Sequence, residues 1–245
     1  MFALYGKLPG AGDFLTINVP RAVLRPLEDW LSASMTQAHE HYGETWEAMY
    51  DGLKPWRFWI GADVLGAPMA GVMAHSRDRV GRRFPVLVFE TASSLYDMPD
   101  PPVLDPDQEQ YAAIERMIED LKTQSTEEVR GALEALNADE ETSTIGQAPD
   151  PEQNFWAAAP QPGAEAFETM MEDVRDADHR GACKARSFWW SPGSDATPPV
   201  CRATTGLPEG EVFAWFMQGL EGATNEVASD QDLGQPADLG QAPEE

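Results

Sequence analysis

The chain has 245 residues, of which 42 are acidic and 17 are basic, so its formal net charge is −25 at pH 7. An apolar content of 42% and eight tryptophans indicate a folded chain, long enough for one large domain or two small ones. The acidic balance argues against nucleic acid and anionic membranes as partners, because both are bound through basic surfaces.

The first predicted element is a short strand over residues 2–5, which leads into the sequence GKLPGAGDF at residues 6–14. Three glycines and a proline in this segment predict a tight, shaped loop. It is not a phosphate-binding P-loop, because no Gly-Lys-Ser/Thr sequence closes it. Two interpretations remain open. Asp13 can accept hydrogen bonds from local backbone N–H groups in a structured turn, or Lys7 and exposed backbone amides can form a small anion or partner site.

Two helices are predicted next. Pro26 is expected to be the first residue of the first helix, a position where its missing N–H costs nothing. Apolar residues follow at helical spacing and predict one buried face: Leu27, Trp30, Leu31, Met35 and Ala38. A second, short helix is predicted over residues 45–51 and ends at Gly52.

Three strands are then predicted in succession, at about residues 56–61, 67–75 and 84–91. Their short connections imply antiparallel neighbours, because a parallel return needs a crossover of a dozen or more residues. The second connection contains Arg77, Asp78, Arg79, Arg82 and Arg83. Four basic residues within seven positions are the sharpest local exception to the acidic balance, and we call residues 77–83 the basic turn.

The basic turn has two plausible roles. In the first, its guanidinium groups bind Asp13, Asp78 or carbonyl groups at helix ends and thereby fix one loop to another. In the second, it is a partner-facing basic patch for a phosphorylated or acidic peptide. The residue types alone leave both roles open.

Helix start signals follow the strands. Asp105 with Pro106 and Gln108 predicts the start of one helix, and Ser125 with Glu128 forms a capping box that predicts the start of a second. An exposed acidic loop is predicted over residues 139–153.

A further helix is predicted over residues 164–174, strands over residues 185–190 and 200–204, and a last helix after residues 206–208. Trp189 and Trp190 lie in the first of these strands, where alternation sends them to opposite faces of the sheet. Either both rings belong to the core, or one is exposed as an interface anchor. Residues 221–245 contain seven acids and no base, and this tail is predicted to be disordered.

No catalytic or metal-binding motif is found, so we expect no catalytic residues, no metal and no cofactor. His75, Ser76 and Asp78 do not suit a hydrolase triad, because adjacent residues on a strand point to opposite faces. Cys183 and Cys201 have no metal-ligand spacing, and we expect two free thiols, with a disulfide as the alternative. The start of the chain lacks the features of a signal peptide, and no apolar run approaches the roughly 20 residues of a membrane span. We therefore expect a cytoplasmic protein.

The ordered set of motifs resembles the TagF/ImpM family of type VI secretion-associated proteins. The most specific pair is the Gly-Lys-Leu-Pro and Gly-Asp-Phe pieces of residues 6–14 together with Asp-Arg-Val-Gly-Arg and Phe-Pro at residues 78–85. Further similarities are Trp30-Leu31, Trp56, Phe58, Gly71-Val72, Ser187 to Trp190, Gly193, Gly206 to Pro208 and Phe213. The resemblance is dense over residues 1–92 and thinner over residues 155–220.

The resemblance implies a three-layer α/β fold with a central mixed, largely antiparallel sheet flanked by helices, in one domain over residues 1–220. It implies a non-enzymatic accessory protein that represses type VI secretion after translation by binding the forkhead-associated scaffold protein. Eight candidate partner-binding residues follow from the motifs: Lys7, Asp13, Asp78, Arg79, Arg82, Arg83, Trp189 and Trp190. The alternative is a small anionic-ligand binder or an enzyme that uses residues 6–13 and the basic turn.

Overall fold

A single sheet of seven strands runs through the described part of the chain. The computed structural model describes residues 1–93, 95–140, 164–193, 198–209 and 212–218. The strands are Phe2–Gly6 (β1), Leu15–Ile17 (β2), Trp56–Ile60 (β3), Met69–Ala74 (β4), Val86–Thr91 (β5), Arg186–Ser191 (β6) and Val200–Thr205 (β7). Their order across the sheet is β2-β1-β5-β4-β3-β6-β7. Each pair of neighbours is antiparallel.

The centre of the sheet is the predicted run of three consecutive strands. β3 pairs with β4 through Trp56 and Met73, and β4 pairs with β5 through Val72 and Val88, both antiparallel as predicted. Nearly every residue of these strands is buried. Both faces of the sheet are covered, which explains why the strands are continuously apolar and not alternating.

Helices cover the two faces and complete three layers. The helices are Arg21–Tyr42 (α1), Trp46–Asp51 (α2), Ala62–Leu65 (α3), Glu109–Leu121 (α4), Thr126–Glu140 (α5), Ala164–Ala182 (α6) and Val212–Gln218 (α7), with short 3₁₀ turns at Gly43–Thr45 and Leu95–Asp97. One core cluster joins α1, α2 and α7 to the sheet, and a second joins α4 and α5 to its other face. The predicted three-layer α/β class is confirmed.

The start of α1 differs from the prediction. The helix begins at Arg21, preceded by Pro20 in an extended conformation, and Pro26 lies inside it. A proline within a helix cannot donate to the carbonyl four residues earlier, which usually costs about 3 kcal/mol. Val23 and Leu27 are fully buried on the sheet-facing side of this helix. Burial of this face stabilises a helix that continues through Pro26, although the local sequence signal places the start of the helix at that residue.

The start of α4 differs as well. The carboxylate of Asp105 accepts a hydrogen bond from the N–H of Asp107 at 2.9 Å, and Asp107 accepts one from Glu109 at 3.0 Å. Two successive side-chain turns therefore precede the helix, which begins at Glu109 and not directly after Asp105. The capping box of α5 is confirmed, since the backbone N–H of Ser125 donates to the Glu128 carboxylate at 2.8 Å.

Several predictions concern segments at the limits of the described residues. Residues 139 and 140 are the last two of α5, so the helix extends into the predicted acidic loop. The rest of that loop, from 141 to 153, and the whole tail over residues 221–245 lie outside the described residues. The division into one domain over residues 1–220 stays a prediction.

Two general expectations can be compared with the structure. Cys183 is buried and Cys201 is exposed, and both are free thiols as predicted. Within the described ranges, every helix is too short or too polar to cross a membrane.

Candidate functional site

The glycine loop, residues 6–14, and the basic turn meet at one end of the sheet. The basic turn connects β4 to β5, and Arg77 and Arg83 form an isolated antiparallel bridge at its base. The backbone N–H of Arg79 donates to the carbonyl of Ala11 at 2.8 Å. The two motifs that were most specific in the sequence therefore form one structural unit.

A buried ion pair lies at the centre of this unit. Lys7 Nζ is 3.1 Å from Asp78 Oδ2, and the two residues are only 7% and 2% exposed. Asp78 also accepts hydrogen bonds from the backbone N–H of Val80 at 3.1 Å and of Arg82 at 2.9 Å. The Arg82 Nε–H donates to the same carboxylate at 2.6 Å. Lys7 and Asp78 are thus internal braces of the loops, and a partner cannot reach them without unfolding the site.

These contacts fix the charge state of Asp78. Burial by itself would raise the pKa of the carboxyl, because it penalises the charged form. The backbone N–H and guanidinium of Arg82 and the Lys7 ammonium oppose that effect, and the pKa of Asp78 lies well below its ordinary value. The carboxylate is therefore ionised throughout the physiological range.

A second ion-pair group connects the basic turn to α2. Arg83 binds Asp51 through two parallel hydrogen bonds, with Nε at 3.0 Å and Nη2 at 2.9 Å. Arg83 also lies 2.9 Å from Glu47, and Arg77 lies 3.3 Å from Asp51. The Arg83 guanidinium lowers the pKa of Asp51 below its usual range. Arg83 is therefore a structural residue, which agrees with the ion-pair interpretation of the turn.

Asp51 was missed by the sequence analysis, which expected Asp13 in this role. Asp13 is exposed, and its carboxylate accepts a hydrogen bond from the N–H of Phe14 at 2.9 Å. This confirms the local-turn interpretation of Asp13 and separates it from the arginine network. The only sequence signal for Asp51 is its position as the last residue before the helix-ending Gly52.

Arg79, Val80 and Arg82 form the outward side of the basic turn. Val80 is 71% exposed. The Arg82 side chain is 59% exposed and donates to the carbonyl of Gly12 at 2.9 Å. Arg79 is exposed, lies beside Gly12, and has no carboxylate within 4 Å among the described residues. The turn thus presents two accessible guanidinium groups with an apolar side chain between them.

A groove of about 520 Å³ opens between the basic turn and the end of α1. Its lining combines apolar, basic and acidic side chains: Met35, Thr36, His39, Trp46, Glu47, Val80, Gly81, Arg82 and Arg83. Glu47 is already paired with Arg83. We call this cavity, together with the outward side of the turn, the basic groove.

Both candidate partner-binding tryptophans lie in the core, which agrees with the interpretation that both rings are buried. Trp189 is fully buried on the α1 face, with its ring 5.0 Å from that of Phe58. Trp190 faces the opposite layer, where its ring lies 4.9 Å from that of Tyr111. Helices cover both faces of the sheet, so alternation along β6 buries both rings, and neither is available to a partner.

A partly buried polar cluster beside Trp190 was also missed. Gln108 Oε1 accepts hydrogen bonds from Trp190 Nε1 at 2.7 Å and from Arg57 Nη1 at 2.8 Å. Arg57 further pairs with Glu115 through Nε at 2.8 Å. Arg57 is nearly fully buried in a central strand, and these partners satisfy its charge. Nothing in the local sequence indicated which residues of α4 would face it.

His75 and Ser76, which do not suit a hydrolase triad, have structural partners. His75 Nδ1 lies 2.8 Å from the carbonyl of Leu53. The Tyr50 hydroxyl donates to the Ser76 carbonyl at 3.2 Å and accepts from the Ser76 N–H at 3.2 Å. No group of three metal-ligating side chains occurs within the part of the chain that the structure describes.

Comparisons with known proteins agree with the motif pattern. A family model described as the TagF N-terminal domain, type VI secretion system-associated, matches residues 3–138. A comparison with curated proteins gives no match. The crystal structure of PA0076 from Pseudomonas aeruginosa PAO1 is similar in fold, with a TM-score of 0.67 at 23% sequence identity and coverage of 100% of both chains.

Proposed function

The chain belongs to the TagF family of type VI secretion-associated proteins, and from this premise we propose that it is a non-enzymatic, cytoplasmic repressor of the secretion system. In this proposal it acts after translation by binding the forkhead-associated scaffold protein. The contact surface is the basic groove. The scaffold is the partner that the family resemblance implies, and the choice of surface comes from the geometry of the basic turn.

One observation carries the choice of surface. The cations of the glycine loop and the basic turn differ in exposure. An inner set, Lys7 and Arg83, is largely buried and paired to buried or half-buried carboxylates. In the outer set, Arg79 is exposed, and Arg82 keeps 59% of its side chain exposed although its Nε–H is bonded to Asp78. The inner set holds the loops in place, and the outer set is presented on a rigid support. Arginine is one of the residue types that are enriched at protein interfaces. In this proposal the two roles that the sequence left open belong to different residues, the structural role to the inner set and the partner-facing role to the outer set.

A phosphorylated form of the scaffold would suit this surface better than an unphosphorylated one. Arg79 lies beside Arg82 around Gly12, and two guanidinium groups can share the oxygens of one phosphate. The overall charge of −25 repels anionic partners at long range, so a local cationic pair would select for a concentrated negative group.

The proposal is tested by calorimetric titration of the full chain with the cognate scaffold in phosphorylated and unphosphorylated forms. We expect binding, and Arg79→Glu should weaken it at least tenfold while the circular dichroism spectrum and melting temperature are retained. Arg130→Glu is the matched control, because Arg130 is an exposed arginine on α5, which covers the opposite face of the sheet. Equal affinities for the Arg79 variant and the wild type would remove the basic groove from the interface. Absence of binding to either form would overturn the choice of partner.

The alternative of a small anionic-ligand binder or enzyme has less support. It relied on Lys7 as a free cation in the glycine loop, and Lys7 is buried against Asp78. Arg79 and Arg82 still leave a place for an anion. Saturable stabilisation by inorganic phosphate or a nucleotide in a thermal-shift screen, lost in Arg79→Glu, would favour this alternative.

A further inference from the structure

The last residues of the chain have a composition that complements the basic groove. Residues 219–245 contain seven acidic residues and neither lysine nor arginine. Within them the sequence Asp-Leu-Gly-Gln occurs twice, at residues 232–235 and 238–241. Each copy places a carboxylate next to a leucine. The segment lies outside the described residues.

We propose that this C-terminal segment binds the basic groove of its own chain. In this arrangement, Asp232 or Asp238 pairs with Arg79 or Arg82, and the following leucine contacts the apolar wall of the groove. The wall is formed by Met35, Trp46 and Val80. The segment therefore acts as an intramolecular ligand that covers the groove when no partner is present.

The position of α7 places the start of the segment near the end of α1 that borders the basic groove. The indole Nε1–H of Trp30 donates to the carbonyl of Pro208 at 2.9 Å, and the hydroxyl of Tyr42 donates to the carbonyl of Ala214 at 3.1 Å. The chain thus advances along α1 toward its C-terminal end, where Tyr42 is the last residue. His39, three residues before Tyr42, lines the groove.

The segment is long enough to make the contact. Chain residues span at most about 3.3–3.6 Å each, so the 14 residues from α7 to Asp232 reach up to roughly 45 Å. A flexible chain of this length has a typical end-to-end distance of about 20 Å. Because the ligand is tethered, its effective concentration at the groove is in the millimolar range, and even weak contacts would keep the groove occupied.

Charge favours binding of the segment at the groove over binding elsewhere on the surface. The groove has two accessible guanidinium groups, and the acid that lines it, Glu47, is paired with Arg83. The remainder of the chain is strongly acidic and repels the segment. Attraction between exposed charges is screened by salt, with a Debye length of about 3 Å at 1 M. High salt is therefore expected to release the segment.

The functional consequence rests on the proposed function. If the scaffold binds the basic groove, the segment competes with it, and a partner with higher charge density, such as a phosphorylated one, displaces the segment more readily. The binding of the segment itself needs no scaffold. The two ideas can therefore be tested separately.

The test is a distance measurement between two spin labels on the full chain, by pulsed electron resonance without any partner. One label is placed at Gln37→Cys, an exposed position on α1 that follows the groove-lining Thr36 in sequence, and the other at Ala237→Cys, in a Cys201→Ser background. Cys183 is buried and should not be labelled. We expect a short, narrow distance distribution at low salt that becomes broad at 1 M salt.

Two variants decide whether the groove is responsible. Arg79→Glu should broaden the distribution at low salt, whereas Arg130→Glu should leave it narrow. A distribution that is broad at both salt concentrations, or that is unchanged by Arg79→Glu, overturns the proposal. A mixture of singly labelled chains must give no short distance, because a short distance there would mean that the segment binds a second copy.

A calorimetric titration then separates this proposal from the proposed function. The triple variant Asp230→Asn, Asp232→Asn and Asp238→Asn should bind the scaffold several-fold more tightly than the wild type, because the competing ligand is neutralised. A short label distance without scaffold binding retains the segment contact and rejects the proposed partner. Scaffold binding that is equal in the triple variant and the wild type rejects the competition.

Discussion

Lys7 Nζ lies 3.1 Å from Asp78 Oδ2 and joins the loop after β1 to the turn between β4 and β5. Both side chains are withdrawn from solvent, and the same carboxylate also fixes the backbone of the turn through the N–H groups of Val80 and Arg82. The pair therefore determines where Arg79 and Arg82 are presented. It explains physically why the glycine loop and the basic turn occur together in one chain.

The first prediction concerns Asp78 itself. Asp78→Asn should clearly lower the free energy of unfolding, because it leaves the Lys7 ammonium buried without a full counter-charge and weakens the hold on Arg82. Asp13→Asn is the matched control in the same unit, since Asp13 is exposed and makes one local hydrogen bond. Urea denaturation followed by tryptophan fluorescence measures both variants. Equal midpoints for the two variants would contradict a bracing role for Asp78.

The second prediction is a dependence of stability on pH. The folded-state pKa values of Asp78 and Asp51 lie below their ordinary values, so each carboxylate binds protons less readily in the folded chain than in the unfolded chain. Their stabilisation is fully present above the unfolded pKa of about 3.9 and is lost as the pH falls through the folded value.

We therefore expect the urea midpoint to fall steeply below about pH 4, given that unfolded pKa. The fall should be shallower in Asp78→Asn, whose residue 78 no longer titrates. If the urea midpoints of the wild type and the variant fell in parallel between pH 5 and pH 2.5, groups other than Asp78 would cause the acid sensitivity.

The third prediction separates the inner and outer arginines by stability. Arg83→Met should lower the free energy of unfolding by about 1–2 kcal/mol, because it removes two charge-assisted hydrogen bonds to Asp51 in a partly buried setting. Arg79→Met should change it little, because Arg79 is exposed and has no carboxylate partner among the described residues. Thermal denaturation at low and high salt measures the difference, and a larger loss for Arg79→Met would reverse the assignment.

Much of the fold could be predicted from local sequence. The strand–turn–strand unit over residues 67–91 has its predicted topology, because short links between apolar runs allow few arrangements. The capping box at Ser125 is a local interaction and was found in place. The starts of α1 and α4 were misplaced, because Pro26 and Asp105 carry helix-start signals that burial and neighbouring turns override.

The candidate site was only partly predictable. The sequence indicated the glycine loop and the basic turn, since their composition departs from that of the chain. It could not show that Asp51, rather than Asp13, binds Arg83, because that pairing depends on how α2 packs against the turn. Nor could it show that Trp190 is covered, since that depends on where α4 lies across the sheet.

The fourth prediction concerns the glycine loop. A Cβ atom at Gly10 would lie 2.2 Å from the carbonyl oxygen of Gln124, which is backbone and cannot move aside easily. Gly10→Ala should therefore cost about 1–3 kcal/mol of stability, as overpacking generally does. A Cβ atom at Gly12 would meet only the flexible Arg79 side chain, at 3.2 Å. Gly12→Ala should be tolerated in urea denaturation, and equal losses for the two variants would contradict the close approach of the loop to the turn before α5.

The fifth prediction concerns the half-buried side-chain amide of Gln108, between α4 and the sheet. Gln108→Met fills a similar volume but removes the acceptor for the N–H groups of Trp190 and Arg57. Leaving buried donors unsatisfied costs about 1–3 kcal/mol each, so we expect a large fall in the urea midpoint. Gln37→Met, at an exposed position on α1, is the control and should be nearly neutral. Equal stability of the two variants would mean that water reaches the N–H groups of Trp190 and Arg57 in the folded state. Gln108 would then not be the residue that fixes α4 over β3 and β6.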